Sequence, residues 1–92
     1  MDYLYTKNGR PLRVVGQYVY ARSGQPVGRI RDNHVYHCDG RYAGTIVGDR
    51  VAFRSLYAHR SASSCSPAWR AGSGRANRAG SGMMGSEPEF AD

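Results

Sequence analysis

His34, His37, Cys38, His59 and Cys65 include every histidine and cysteine of the chain. Together they offer the nitrogen and sulfur donors that zinc takes. Their spacing argues against a shared ion. On an extended strand His34 and His37 point to opposite faces, while His34 and Cys38 share a face but lie roughly 13 Å apart. Zinc bonds of about 2.0–2.3 Å do not bridge that gap unless His59 or Cys65 folds over. The plainer reading is two half-exposed histidines and a small buried thiol, so no metal and no other cofactor is expected. Nucleophilic catalysis needs a nucleophile, a base and an orienting group. Ser, His and Asp are present without a motif that orders them, and Asp32 and Asp49 sit in turn pairs where a carboxylate serves local hydrogen bonding. No glycine run stands between a strand and a helix, as a phosphate or dinucleotide loop requires. The chain is expected not to be an enzyme.

Binding is better represented than catalysis. Tyr18, Tyr20, Arg22, Arg29, Tyr36 and Arg41 interleave aromatic and cationic side chains. Strand aromatics can stack bases while arginine holds phosphates. Tyrosine and arginine are also the residues that dominate protein interfaces. The structural alternative is ordinary strand tyrosines whose rings neighbouring arginines cover. The net charge of +6 supports contact with anionic partners without identifying one. Residues 1–60 carry all of that excess, whereas Arg70, Arg75 and Arg78 balance Glu87, Glu89 and Asp92 in the remainder.

The elements that must position these residues come from a repeat. Tyr18-Val19-Tyr20 to Gly28-Arg29-Ile30 lines up with His34-Val35-Tyr36 to Gly44-Thr45-Ile46 at an interval of sixteen. An earlier copy, Leu4-Tyr5 through Asn8-Gly9 to Val15, is one residue shorter, and a fourth begins at Arg50-Val51-Ala52-Phe53. Each copy predicts a β-hairpin, with turns at Asn8-Gly9, Ser23-Gly24 and Asp39-Gly40. The flanks are rich in Tyr, Val and Ile, which suit half-buried strands. Gly16-Gln17, Asp32-Asn33 and Gly48-Asp49 form the turns between hairpins. Two-residue loops would place Val19, Ala21, Gly28 and Ile30 on a core face, and Tyr18, Tyr20, Val27 and Arg29 outside. By the same construction Leu4, Val15, Val35, Gly44 and Ile46 are core, while Leu12 and Ala43 lie outside. Arg13 then takes the place of Gly28 in the first copy.

This alternation of Val-Tyr, turn glycine, Gly-x-Ile and Gly-Asp resembles the bacterial 4-fold β-flower domain. Tyr18-Val19-Tyr20, Gly24, Gly28-Arg29-Ile30, Tyr36, Gly40-Arg41-Tyr42, Gly44-Thr45-Ile46 and Gly48-Asp49-Arg50-Val51 carry the resemblance, over roughly residues 3–56. It implies hairpins set around a pseudo-fourfold axis, with the N-terminal strand or the tail completing the fourth petal. It carries over no functional residue.

The expected architecture is all-β: a small antiparallel meander of about four hairpins over residues 3–57, then a mostly disordered Gly/Ser/Arg-rich tail over 58–92. Ala71-Gly72-Ser73-Gly74 and Ala79-Gly80-Ser81-Gly82 read as linker. Trp69 is expected to dock on the domain, with Met83-Met84, Phe90, Glu87 and Glu89 as further contacts. Cys38 and Cys65 could pair, but nothing in the spacing demands it. No secretory signal and no membrane span is read, and the expected compartment is the cytoplasm. The expected function is a non-enzymatic binding or assembly module that presents the Tyr/Arg face to a protein partner or to its own copy. The alternative is weak, salt-sensitive binding of single-stranded nucleic acid by the same face and tail.

Overall fold

Leu4, Val19, Val35 and Val51 stand one repeat apart in sequence, and all four have no exposed surface and share one apolar cluster. They come from four strands of a barrel. The structure, a computed structural model, describes residues 3–72 and 75–90. The strands are β1 (Tyr3–Thr6), β2 (Pro11–Val15), β3 (Tyr18–Tyr20), β4 (Pro26–Arg31), β5 (His34–His37), β6 (Tyr42–Val47) and β7 (Arg50–Ala52). Consecutive strands pair antiparallel, as the repeat predicts. β1 and β7 then pair in parallel, Tyr5 opposite Arg50 and Thr6 opposite Val51, and close the barrel. Closure leaves no unpaired sheet edge among the described strands.

The hairpin loops differ from the expected two-residue form. Ala21 N–H donates to the Gln25 carbonyl and Gly24 N–H to the Ala21 carbonyl, both at 2.9 Å, so the loop is Arg22-Ser23-Gly24. Thr6 to Arg10 and His37 to Arg41 repeat this pattern. A three-residue loop of this kind ends on a left-handed glycine, and Gly24 has a φ of 95°. The added residue is absorbed by a register shift: Val19 faces Gly28 but Tyr20 faces Pro26. Val27 is thereby turned inward and is 7% exposed. The same shift between Val35 and Tyr36 turns Ala43 inward.

The first hairpin has no such shift; Leu4 faces Leu12 and Tyr5 faces Pro11. Its missing residue is therefore the counterpart of Gly28. Leu12 takes the buried place of Val27, and Arg13 faces Tyr3 as Arg29 faces Tyr18. Two expectations are corrected by the three-residue loops and by the bulges that accompany the second and third of them. Leu12, Val27 and Ala43 are core rather than outer residues, and Arg13 corresponds to Arg29 rather than Gly28.

The fourth hairpin has only its first strand. A 3-10 turn at Ser55–Tyr57 follows β7 in place of a returning strand. By period, His59 would join Leu12, Val27 and Ala43, but it is exposed. The core cluster is completed instead by Phe90, 7% exposed, from the far end of the tail. Ser86 bridges Phe53, each amide donating to the other's carbonyl at 2.7–2.8 Å. The N-terminal strand and the tail both contribute to the fourth petal.

Candidate functional site

Among its described residues the tail has no helix and only isolated bridges, yet it is hydrogen-bonded to every petal. Ala62 N–H donates to the Gly40 carbonyl at 2.9 Å, Arg70 to Gly24 at 3.0 Å, Arg78 to Gly9 at 2.8 Å, and Ser86 to Phe53 at 2.8 Å. The donors stand eight residues apart, and they visit the third, second, first and fourth hairpin in turn. The tail circles the loop end of the barrel against the order of the hairpins. A second set of bonds follows the same rule three residues later. Cys65 N–H donates to the Cys38 carbonyl and Ser81 to the Lys7 carbonyl, both at 2.8 Å. The equivalent position in the intervening span, Ser73, lies outside the described residues with Gly74. The expected disordered linker is thus, over its described residues, a belt. Gly and Ser supply too little apolar surface to order it alone, and the hairpin carbonyls supply the order.

The loop glycines make room for the belt. A Cβ on Gly24 would collide with the Arg70 carbonyl, and the positive φ there already disfavours a side chain. Gly9 meets Arg78 and Gly40 meets Ala62 in the same manner.

Arginines of the belt lie over tyrosines of the barrel. The Arg78 guanidinium is 4.0 Å from the centre of the Tyr5 ring, Arg75 is 4.2 Å from Tyr3, and Arg70 is 5.7 Å from Tyr20. These distances are within reach of cation–π attraction. Arg75 Nε also donates to the Tyr5 hydroxyl at 2.8 Å. That bond holds the Tyr5 hydroxyl below the usual phenol range, against the opposing effect of burial. Arg78 pairs with Asp49 at 2.5 Å and Arg10 with Glu87 at 3.7 Å. Glu87 therefore meets a basic group of the hairpins, as expected.

The six residues of the expected binding face are not set out on one open surface. Tyr20 and Tyr36 are 3% and 4% exposed. Tyr18 and Arg29 are half-buried, and Arg29 donates to the Ser63 carbonyl of the belt at 3.3 Å. Arg22 and Arg41 are exposed, and Arg41 is held by Asp39 at 2.7 Å. Tyr36 belongs to an aromatic group with His34 and Tyr42. Thr45 Oγ1 lies 2.9 Å from His34 Nδ1 and 2.6 Å from the Tyr42 hydroxyl, which accepts from Arg54 N–H at 3.2 Å. Tyr42, having accepted from Arg54, is free to donate to Thr45, and Thr45 to His34; Nδ1 is then the unprotonated nitrogen. Burial holds His34 below the usual histidine range, and nearby Arg60 adds to the effect. Burial does the same for His37.

Trp69 does not dock; it is 66% exposed, and Met84 is 80% exposed. Phe90 does dock, its ring 5.5 Å from that of His37. Arg10 donates to the Phe90 carbonyl at 2.7 Å, and Pro88, two residues before Phe90, is fully buried. A pocket of about 270 Å³ opens here, lined by His37, Arg41, Phe53, Ser86, Glu87 and Glu89 among others. Among the described residues no three His, Cys, Asp or Glu side chains group as metal ligands would. No described helix is long and apolar enough to cross a membrane.

The sequence carries a signal for the belt that its composition obscures. Arg70-Ala71-Gly72-Ser73-Gly74 recurs as Arg78-Ala79-Gly80-Ser81-Gly82 after eight residues, half the hairpin interval. Low complexity masked a period matched to the barrel.

No curated protein and no solved structure matches the chain. The family described as 4-fold beta flower protein matches residues 2–75, which takes in the hairpins and the first spans of the belt. With its sixteen-residue hairpins closed into a barrel and this match over most of its 92 residues, the chain belongs to the 4-fold beta flower proteins.

Proposed function

We propose that this protein is a non-enzymatic binding module whose loop end takes up an extended, arginine-bearing, glycine-rich chain segment. In the isolated chain that segment is its own tail. The observation that carries the reading is the eight-residue register of Ala62, Arg70, Arg78 and Ser86 on the four petals. Main-chain bonds to loop carbonyls give hold without demanding particular side chains, and arginine over tyrosine gives selectivity. The same geometry serves a second copy, whose tail would exchange with the first and link two barrels. Exchange of an identical element is a low-cost route to assembly.

The test uses the folded full chain with a specific protease site placed between Arg60 and Ser61. After cleavage the tail should stay with the barrel on gel filtration, and a labelled peptide of residues 61–92 should replace it. A tail that leaves at once and does not rebind would overturn the reading. Nucleic-acid binding by this face requires the belt to move off Tyr5 and Tyr20. A labelled single strand displacing the tail, with affinity falling steeply in salt, would favour that alternative.

A further inference from the structure

Two thiols meet where the belt first touches the barrel. Cys38 is the first residue of the third hairpin's loop, and Cys65 is on the first span of the tail. Their sulfurs are 3.1 Å apart, and the Cys65 amide donates to the Cys38 carbonyl at 2.8 Å. Both are free and half-buried. The main-chain bond fixes the two backbones side by side, so closing a disulfide asks for a small movement of two sulfurs. A proximity of this kind in a Gly/Ser-rich tail is not required for packing. Serine at position 65 would make the same main-chain bond.

We propose that Cys38 and Cys65 form a reversible disulfide that pins the first span of the belt to the third hairpin, making this pair a redox-sensitive modification site. The proposal rests on the reading of the tail as a bound segment, and it supplies that segment with a hold that can be released. The oxidant is a low-molecular-weight disulfide. The Cys65 thiolate attacks one sulfur of it, forming a mixed disulfide and expelling one thiolate. Cys38 then loses its proton and attacks the Cys65 sulfur, expelling the second. Two protein thiols and one small disulfide become one protein disulfide and two small thiols. Burial, and then the bond to Cys65, push the Cys38 thiol up, and Cys65 stands between exposed Ser64 and Ser66 on the belt, so the exchange begins at Cys65. Once Cys65 is modified, it no longer has a proton to donate to Cys38, and Cys38 is the group placed to resolve the mixed disulfide. The closed bridge spans 27 residues of chain, a loop long enough to restrict the unfolded state appreciably.

The reduced full chain is treated with excess oxidised glutathione and compared with Cys65→Ser and Cys38→Ser chains. The expected product is a monomer with no free thiol, a Cys38–Cys65 crosslink in its peptide map, and a Tm raised on the order of 10 °C. Both serine variants should show no rise, and reductant should reverse it. A stable glutathione adduct on Cys65, disulfide-linked dimers, or thiols that stay free would overturn the proposal. Amide protection at Arg70 and Arg78 in the reduced chain reads the belt separately. Protection without a crosslink removes only the disulfide. A crosslink without protection removes the belt and leaves the disulfide standing.

Discussion

The guanidinium of Arg78 lies 4.0 Å from the ring centre of Tyr5, while the Arg78 amide bonds to Gly9 at the tip of the same hairpin. One tail residue thus engages a petal through its backbone and covers it with its side chain. Arg78 also pairs with Asp49 at 2.5 Å, which ties the first petal to the turn before β7. Both partners of that pair are partly solvated, so the contribution is modest. Arg78→Ala should lower stability by about 1 kcal/mol in denaturant unfolding. Arg78→Lys should recover part of the pairing and little of the stacking, because a planar guanidinium stacks where an ammonium does not.

Gly24 and Gly16 separate the belt from simple backbone strain. Both have positive φ, but a Cβ on Gly16 meets nothing within 4 Å, whereas one on Gly24 strikes the Arg70 carbonyl. Gly16→Ala should cost about 1–2 kcal/mol from the left-handed conformation alone. Gly24→Ala should cost more than that and should loosen the tail. Equal urea midpoints for the two variants would show that nothing presses on Gly24.

Phe90 and Trp69 should behave in opposite ways. Phe90 is 7% exposed within the core cluster, and Phe90→Ala should cost about 3 kcal/mol. Trp69 is 66% exposed, and Trp69→Ala should fall within about 0.5 kcal/mol of the parent. Thermal unfolding of the two variants checks both values. Aromatic content alone points to Trp69, because nothing in a Gly/Ser-rich stretch says which large side chain reaches a hydrophobic opening.

Stability should fall on acidification. His34 and His37 are held below the usual histidine range, mainly by burial. The unfolded chain therefore takes up protons before the folded one does. The stability that these neutral rings confer is fully present above about pH 6.5 and declines as pH falls from there toward their folded pKa values. Protonating His34 would also put a second proton between Nδ1 and the Thr45 hydroxyl. Urea midpoints across pH 4–8, with imidazole titration by NMR, should show this slope. Rings titrating at or above 6.5 would remove its cause.

The repeat made the hairpins legible, since turn glycines and β-branched flanks are local signals. The inward set at Leu4, Val19 and Val35 was readable for the same reason. The bulges were not, because a two-residue and a three-residue loop share the same glycine, and the choice moves Val27 and Ala43 from one face to the other. The parallel pairing of β1 with β7 depends on the whole ring closing, which no local pattern reports. The belt was hidden for a different reason. Its order comes from carbonyls on the barrel rather than from any apolar stripe of its own, so composition made it look like a linker. The exposed Tyr/Arg face failed at Tyr20 and Tyr36 because the surface that alternation assigned to solvent is the surface on which the tail and the neighbouring rings pack.

Amide hydrogen exchange on the intact, reduced chain tests the belt most directly. Ala62, Arg70, Arg78 and Ser86 should exchange slowly as a set, because each donates to a petal carbonyl. Exchange of all four at the rates of an unstructured peptide, with the barrel amides protected, would contradict the account.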